Sequence, residues 1–320
     1  MFKALDKRDN SDVVILDQQW LEAIDKLREL DHQDILICQG CRQPVRVRAG
    51  EQRREHFAHK HLINCNYSDE SPILRNSRAV LYEWLKTKID ANVTIEKQVD
   101  GSELFRPIDC WVVKDSKVFA YWIIDSALKP EKRMVLQNSA ENLGIQFHWV
   151  FCENMLRIDQ DNSENLFLST TEREFIQHSM HDDVYSYGHS ISGGSLHYLG
   201  VNNRKLFTYR NLSLYHKPNV YTGYNVNSNL DEVSISSETG EFVHKGEYEK
   251  LQKYEQEISL HHKETMISST VNMTLSSPLF GKKKCQICGE MTDDWSSFDG
   301  KTGLCKCMSC QKKASYENSR

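Results

Sequence analysis

The sequence predicts an α+β protein of several domains, with a cysteine-rich zinc module at each end. Eight of the ten cysteines in the 320 residues lie in two clusters, at 38–65 and 285–310. Between them, the hydrophobic pattern predicts the element order αβββαβ, followed by a run of short aromatic strands. A content of 39% hydrophobic and 27% charged residues is typical of a folded globular protein, and the length allows two or three domains.

The first part of the chain predicts a helix followed by a cysteine knuckle. Apolar residues recur at helical intervals from Trp20 to Leu30, which indicates a short amphipathic helix over 18–30. Two β-type runs follow at 35–38 and 44–50, with Cys41 in the turn between them. This arrangement predicts a knuckle and a hairpin.

The central part predicts the αβββαβ order. Ser71 and Pro72 supply an N-cap and a first-turn proline for a helix that ends near residue 89. Three β-type segments come next, at 93–99, 106–113 and 117–125. Pro130 begins another helix that ends near Gly144, and the apolar run 147–151 predicts a buried strand.

The remaining residues change in character. A helix is predicted over 170–180, aromatic strands over 195–199, 205–212 and 220–226, and a charged helix over 246–266. We therefore expect four domains: an N-terminal helix and zinc finger at 1–68, the αβββαβ core at 69–160, a β-rich domain at 161–267 and a zinc ribbon at 279–314.

The N-terminal cysteine cluster has the composition of a structural zinc site. Zinc takes four thiolate or imidazole ligands in a tetrahedron, and a Cys-x2-Cys turn supplies two of them. Five residues compete for the four positions: Cys38, Cys41, His56, His59 and Cys65. We favour the set with His59, and His56 is the alternative third ligand.

The C-terminal cluster predicts a second structural zinc ion. Its two Cys-x2-Cys pairs are separated by 18 residues, a spacing expected of zinc ribbons, and consist of Cys285, Cys288, Cys307 and Cys310. Clustered cysteine pairs favour metal over disulfides in a reducing compartment. Since the first residues turn polar where a signal peptide needs an apolar stretch, we expect the protein in the cytoplasm.

Positive charge coincides with both zinc modules, although the formal net charge is −5. Local excesses of this kind predict contact with nucleic acid. The candidate binding residues are Arg42, Arg46, Arg48, Arg53, Arg54, Lys282, Lys283 and Lys284. A protein partner that docks on the zinc modules is the alternative. No membrane is expected as a partner, because no run of 18 apolar residues occurs.

Several of these motifs together resemble the opening of the CoiA competence-protein family. The resemblance covers about residues 33–152 and is carried by Cys38-x2-Cys41-x2-Pro44-Val45, Gly50, His56-Phe57-Ala58-His59-Lys60, Cys65 and Leu81-Tyr82-Glu83-Trp84-Leu85. It implies a restriction-endonuclease-like core of the PD-(D/E)xK type and a role in processing incoming or foreign DNA. An enzyme of that type is a metal-dependent deoxyribonuclease that uses Mg²⁺.

Asp109 and Glu70 match the second-strand and N-terminal acids of that family. The third strand departs from the pattern, because Trp122 and Ile124 stand where the family has an acid and a lysine or glutamine. Asp125 replaces the missing acid only if a bulge turns it to the correct face. We therefore expect a protein that binds DNA with cleavage lost or weakened; the alternatives are an active nuclease using Asp109, Glu70 and Asp125, and a protein-interaction scaffold.

Overall fold

The computed structural model describes residues 1–50, 53–61, 65–67, 70–89, 91–160, 162–178, 194–214 and 219–247, together with four short strands beyond residue 282. The chain divides into two compact units, Met1–Leu251 and Gln252–Arg320. None of the helices in the described ranges has the length and apolar character needed to span a membrane.

The N-terminal module contains a three-stranded sheet and two short helices. Its strands are β1 (Lys3–Asp6), β2 (Asp12–Val14) and β3 (Leu36–Ile37), in the order β2-β1-β3. The helix predicted over 18–30 is divided into α1 (Gln18–Leu21) and α2 (Ile24–His32). The division falls at Ala23, whose backbone leaves the helical region, and only α2 buries leucine side chains.

The hairpin of this module differs from the predicted one. Strand β4 (Val45–Gly50) pairs antiparallel with β5 (Arg53–His59), a strand that the pattern did not predict. The sequence of β5 is rich in charge and carries a single large apolar residue, Phe57, which is buried. Because a two-stranded hairpin buries only one face, such a strand has little hydrophobic signal of its own.

The core confirms the predicted αβββαβ order. Its elements are α3 (Pro72–Lys88), β6 (Asn92–Lys97), β7 (Ile108–Lys114), β8 (Lys117–Ile124), α4 (Pro130–Leu143) and β9 (Gln146–Cys152). Strands β6, β7 and β8 are antiparallel neighbours, whereas β8 and β9 are parallel, with α4 as the crossover between them. As predicted, Ser71 caps α3 by accepting from the backbone N–H of Leu74 at 3.0 Å.

The strands that follow residue 160 join the same sheet. They are β10 (Asn165–Phe167), β11 (Gln177–His178), β12 (Gly194–Gly200), β13 (Lys205–Leu214) and β14 (Val220–Asn229). The sheet has the order β10-β14-β13-β12-β9-β8-β7-β6, and β11 pairs with β12. One sheet therefore extends across the domain boundary expected at residue 160. Helix α5 (Thr170–Glu174) is shorter than predicted, and a small hairpin of β15 (Val233–Ile235) and β16 (Phe242–His244) ends this part.

Each face of the large sheet is covered by a separate hydrophobic cluster. Along β8, Tyr121 and Ile123 belong to the cluster that includes α3 and the N-terminal module, whereas Trp122 and Ile124 belong to the cluster that includes α4. This alternation is the period of two expected for a strand buried on both faces.

The second unit is described only by the backbone of two hairpins. Strand β17 (Lys283–Lys284) pairs with β18 (Met291–Thr292), and β19 (Trp295–Asp299) pairs with β20 (Leu304–Cys307). Of the predicted zinc ligands, Cys307 lies on β20, and Cys285, Cys288 and Cys310 lie outside the described residues. Because three of the four predicted ligands are not described, the second zinc site stays a prediction. Lys282 and most of the helix predicted over 246–266 also lie outside the described residues.

Candidate metal centre and buried charge cluster

The N-terminal module brings four possible zinc ligands together. The thiols of Cys38, Cys41 and Cys65 and the imidazole of His59 offer ligand atoms that all lie within 4.8 Å of one another. The Sγ atoms of Cys38 and Cys65 are 3.8 Å apart, and Cys41 Sγ is 3.3 Å from His59 Nε2. In a tetrahedral site with zinc–sulfur bonds of about 2.3 Å, two sulfurs are separated by about 3.8 Å. The donor set and its spacing therefore fit a single zinc ion.

The local fold explains why the turn between Cys38 and Cys41 has this shape. The backbone N–H of Gly40 donates to Cys38 Sγ at 3.4 Å, and the N–H of Arg42 donates to the carbonyl of Cys38 at 2.9 Å. A side chain at position 40 would lie 2.8 Å from the ring of Tyr67. Only glycine therefore allows the aromatic ring to close over the turn.

The strand period decides between the two candidate histidines. On β5, His59 shares a face with Phe57, whereas His56 lies on the opposite face. His56 is buried, its Nδ1 lies 2.8 Å from the carbonyl oxygen of Arg54, and it is not part of the ligand cluster. The ligand set is thus the favoured one, with His59.

Burial shifts the pKa values of these groups in opposite directions. It raises the pKa of Cys38 to about 12 and also raises the pKa of Cys65. Burial lowers the pKa of His59, so that the imidazole is neutral and its nitrogen can bind a metal. Without a cation the two thiols therefore stay protonated, and zinc binding would release their protons.

A second group of polar side chains is buried between α3 and the large sheet. We call it the charge cluster: Glu70, Arg78, Glu96 and Asp109, joined on one side by Arg106. The guanidinium of Arg78 donates to the carboxylates of Glu70 at 2.7 Å, Glu96 at 2.6 Å and Asp109 at 2.7 Å. Arg78 and Asp109 are completely buried. Arg78 thus compensates three carboxylates, with Arg106 at the edge, and the N-terminal ammonium group of Met1 lies 3.6 Å from Glu70 Oε2.

Asp109 has its acceptor sites occupied by the protein itself. Its Oδ1 accepts from Arg78 and from Arg106 Nη1, both at 2.7 Å, and its Oδ2 accepts from the backbone N–H of Ile123 at 2.7 Å. Arg106 also donates to the carbonyl of Ile123 at 2.5 Å. The backbone pairing of β7 with β8 starts at Cys110 and Tyr121, so it does not reach Ile123. Asp109 and Arg106 therefore supply the hydrogen bonds for the N–H and carbonyl groups of Ile123.

Glu96 connects the charge cluster to the N-terminal module. Its carboxylate accepts from the backbone N–H groups of Phe2 and Lys3 at 2.9–3.0 Å, while the same carboxylate binds Arg78. The backbone of Glu96 has a positive φ of 49°, unusual for a residue other than glycine. This side chain therefore helps to hold strand β1 to the large sheet, together with the packing of Ala4 in the same hydrophobic cluster as Ile95 and Cys110.

The two residues that we aligned with the family's third-strand acid and its lysine or glutamine are apolar, and the structure buries both. Trp122 and Ile124 are each at most 2% exposed. The guanidinium of Arg106 lies over the ring of Trp122, 4.1 Å from its centroid. Asp125 accepts from Ser71 Oγ at 2.5 Å. Within the described residues, the Cys38, Cys41, His59 and Cys65 group is the one set of three or more possible metal ligands, so Glu70, Asp109 and Asp125 do not form such a set.

Some of the basic residues near the knuckle form ion pairs within the fold, and others do not. Arg54 binds Glu83 at 2.8 Å, and Lys60 binds Asp31 and Asp34. Arg42 and Arg48 are exposed and Arg46 is half-buried. None of these three arginines forms an ion pair with a described residue, whereas the side chain of Arg53 lies outside the description.

This geometry defines the class of the N-terminal module: it is a knuckle-and-hairpin module with a Cys3His set of possible metal ligands. A family model described as the competence protein CoiA, N-terminal domain, matches residues 20–68, which include all four ligands. No curated protein matches the chain.

Sequence reasoning missed Arg78, Glu96 and Arg106. A signal for Arg78 exists, since it lies four residues after Leu74 and three before Leu81, on the apolar face of α3. A lone cation at such a position predicts a buried ion pair, because an unpaired charge is too costly to bury. Glu96 carries no comparable signal, since Arg78, Phe2 and Lys3 are distant from it in sequence. Arg106 lies only three residues before Asp109, but in a strand that spacing places two residues on opposite faces and does not predict a pair.

The charge cluster predicts a dependence of stability on pH. Burial opposes ionisation of Glu70, but the charges of Arg78, the N-terminal ammonium group and Arg106, together with the hydrogen bond from Arg78, more than offset it and lower the pKa of the carboxyl from 4.5 to about 2. A carboxyl with a lowered pKa contributes stability that is complete above about pH 4.5 and is lost as the pH falls towards 2. We expect up to about 3 kcal/mol from this residue.

Urea unfolding of the wild type and Glu70→Gln at pH 7, 4.5 and 3 measures this contribution. The wild type is expected to be the more stable at pH 7, and the difference is expected to shrink at pH 3. Loss of zinc at low pH affects both proteins, so it cancels in the comparison. A difference that stays constant from pH 7 to pH 3 would contradict the prediction.

Proposed function

We propose that this chain is a CoiA-like zinc protein that binds DNA through its N-terminal module and has a nuclease-like core that does not cleave. The single observation that carries the loss of cleavage is the position of Arg78, whose guanidinium lies among the carboxylates of Glu70, Glu96 and Asp109. A guanidinium in that position takes the electrostatic role that a divalent cation has in an active nuclease.

The likeness to a nuclease rests on the order of elements α3, β6, β7, β8, α4 and β9, with Asp109 near the start of β7. Magnesium binds through one or two carboxylates and keeps several water molecules. Asp109 has no exposed surface, and its oxygens accept from two guanidinium groups and one backbone amide. Binding of a hydrated cation there would require Arg78 and Arg106 to leave.

Nucleic-acid binding is supported by three arginines of the knuckle and hairpin that form no ion pair with a described residue. Arg42 lies just after the second cysteine, and Arg46 and Arg48 lie two residues apart on one face of β4. Arginine binds phosphate oxygens in a bidentate manner, and each such contact releases counterions from the nucleic acid. The zinc site would fix the backbone that presents these side chains.

Fluorescence anisotropy with labelled DNA at several salt concentrations tests binding. The variant Arg42→Ala/Arg48→Ala is expected to bind at least about tenfold more weakly than the wild type. The slope of the logarithm of its binding constant against the logarithm of salt concentration is expected to decrease by the contribution of about two phosphate contacts. The variant Lys114→Ala/Lys117→Ala removes the same charge from the far end of the β7–β8 hairpin, and is expected to bind like the wild type.

Incubation with plasmid, linear and single-stranded DNA in Mg²⁺ or Mn²⁺ tests cleavage, and no product is expected. Cleavage that Asp109→Ala abolishes would overturn the proposal in favour of a metal-dependent deoxyribonuclease using Asp109, Glu70 and a repositioned Asp125. If the wild type shows no salt-dependent binding of DNA, the zinc modules serve as docking surfaces for a protein partner instead.

A further inference from the structure

We propose that a cleft beside the zinc knuckle binds one phosphate-bearing nucleotide unit of a single strand, an inference that rests on the proposed nucleic-acid binding. The cleft has a volume of about 320 Å³ and lies between the knuckle and the connection from β6 to β7. Cavities that hold small ligands start at about this size. A volume of this order accommodates about one nucleotide and is too narrow for a double helix.

The walls of the cleft are fixed to each other before any ligand binds. Gln39 of the knuckle donates to the carbonyl of Glu96 at 3.0 Å, and the hydroxyl of Tyr67 donates to the side-chain oxygen of Gln98 at 3.5 Å. The ring of Tyr67 also packs against Gly40. A preformed cleft loses little conformational entropy on binding, which favours affinity.

The charge of the lining favours an anion. Lys97 and Arg106 line the cleft, and no carboxylate is present among the described residues that do so. Lys97 is half-buried and forms no ion pair with a described residue, so its ammonium group is available to a ligand. Arg106 is held by Asp109 and by the carbonyl of Ile123, so its charge is largely compensated and Lys97 supplies the free positive charge of the cleft.

The zinc site determines where in the cleft a phosphate would lie. Cys41 and Cys65 form part of the wall, and a zinc ion with three thiolates and a neutral imidazole carries about one net negative charge. A phosphate is therefore expected beside Lys97 and away from the sulfurs. The exposed amides of Asn66 and Gln98 remain to donate and accept hydrogen bonds at the edge of a base.

Anisotropy titrations compare a single-stranded oligonucleotide with a blunt duplex of the same sequence. The wild type is expected to bind the single strand more tightly, and free nucleoside monophosphate is expected to compete. Lys97→Ala is expected to weaken single-strand binding about fivefold or more. It is also expected to reduce the slope of the binding constant with salt concentration, on logarithmic axes, by the contribution of about one phosphate contact. The matched control is Lys114→Ala. It removes a lysine of similar exposure from the turn of the β7–β8 hairpin, at the end of β7 away from the cleft, and is expected to leave binding unchanged.

The outcomes separate this inference from the proposed function. If the wild type binds DNA but Lys97→Ala behaves like Lys114→Ala, the cleft is not the binding site and only the inference fails. Preference for the duplex also overturns the inference alone. If the wild type binds neither form, the proposed function fails together with it. Zinc content and circular dichroism equal to those of the wild type establish that Lys97→Ala is folded.

Discussion

Replacing Arg78 with alanine is expected to lower the free energy of unfolding by about 3–5 kcal/mol, the range found when one partner of a buried ion pair is removed. The change leaves Glu70, Glu96 and Asp109 close together in a site with almost no solvent. Arg106 still compensates Asp109, but no described cation other than Arg78 binds the side chain of Glu96 at short range. Some of the three carboxyls must then take up protons or become hydrated, and both disfavour the native state.

Urea unfolding measures this effect, with Arg54→Ala as the matched control. Arg54 also binds a carboxylate at 2.8 Å, but its side chain is 29% exposed and that of its partner Glu83 is 33% exposed. The loss of this ion pair is expected to lower the free energy of unfolding by less than about 1 kcal/mol. Equal effects of the two substitutions would show that the charge cluster is not a main contributor to stability.

The second large effect is expected when a zinc ligand is removed. Cys38→Ser should lower the zinc content of the purified chain by about one ion and destabilise the N-terminal module. Cys38 is buried in the same hydrophobic cluster as Phe57 and Tyr67. Loss of the metal therefore frees the turn that holds Tyr67 against Gly40 and weakens one wall of the cleft.

Elemental analysis and limited proteolysis check this expectation. Cleavage by protease is expected to appear within residues 33–67 of the variant and to be slow in the wild type. His61→Ala is the control, because His61 is exposed and lies outside the ligand group. Zinc content that is unchanged in Cys38→Ser would contradict the assignment of the site. Any zinc that remains in the variant belongs to the predicted C-terminal site.

The charge cluster and the cleft share a short stretch of residues at the end of β6. Glu96 belongs to the charge cluster, Lys97 lines the cleft and Gln98 accepts from Tyr67. The positive φ of Glu96 turns its carboxylate to Arg78 and to β1, where an ordinary strand residue would continue the ladder with β7. A change at Glu96 is therefore expected to affect both the stability of the core and the shape of the cleft.

The sequence alone predicted the order of the core elements, and it singled out the four N-terminal residues that the structure brings together as possible zinc ligands. Both are encoded locally: turn residues such as Pro72 and Gly144 mark the ends of helices, and the Cys-x2-Cys spacing brings two sulfurs together. It also indicated that the third strand lacks a carboxylate at Trp122, because the residue type is read directly.

Only the tertiary structure decided which charged residues meet. The sequence did not predict the pairing of Arg78 with Glu70, Glu96 and Asp109, and it offered Arg54 as a candidate contact for nucleic acid although Arg54 forms an ion pair with Glu83. Strand β5 and the continuation of the sheet beyond residue 160 were also missed. Hydrophobic periodicity reports which face of an element is buried, whereas ion pairs and strand order depend on contacts between residues far apart in sequence, for which a single sequence has no periodic signal.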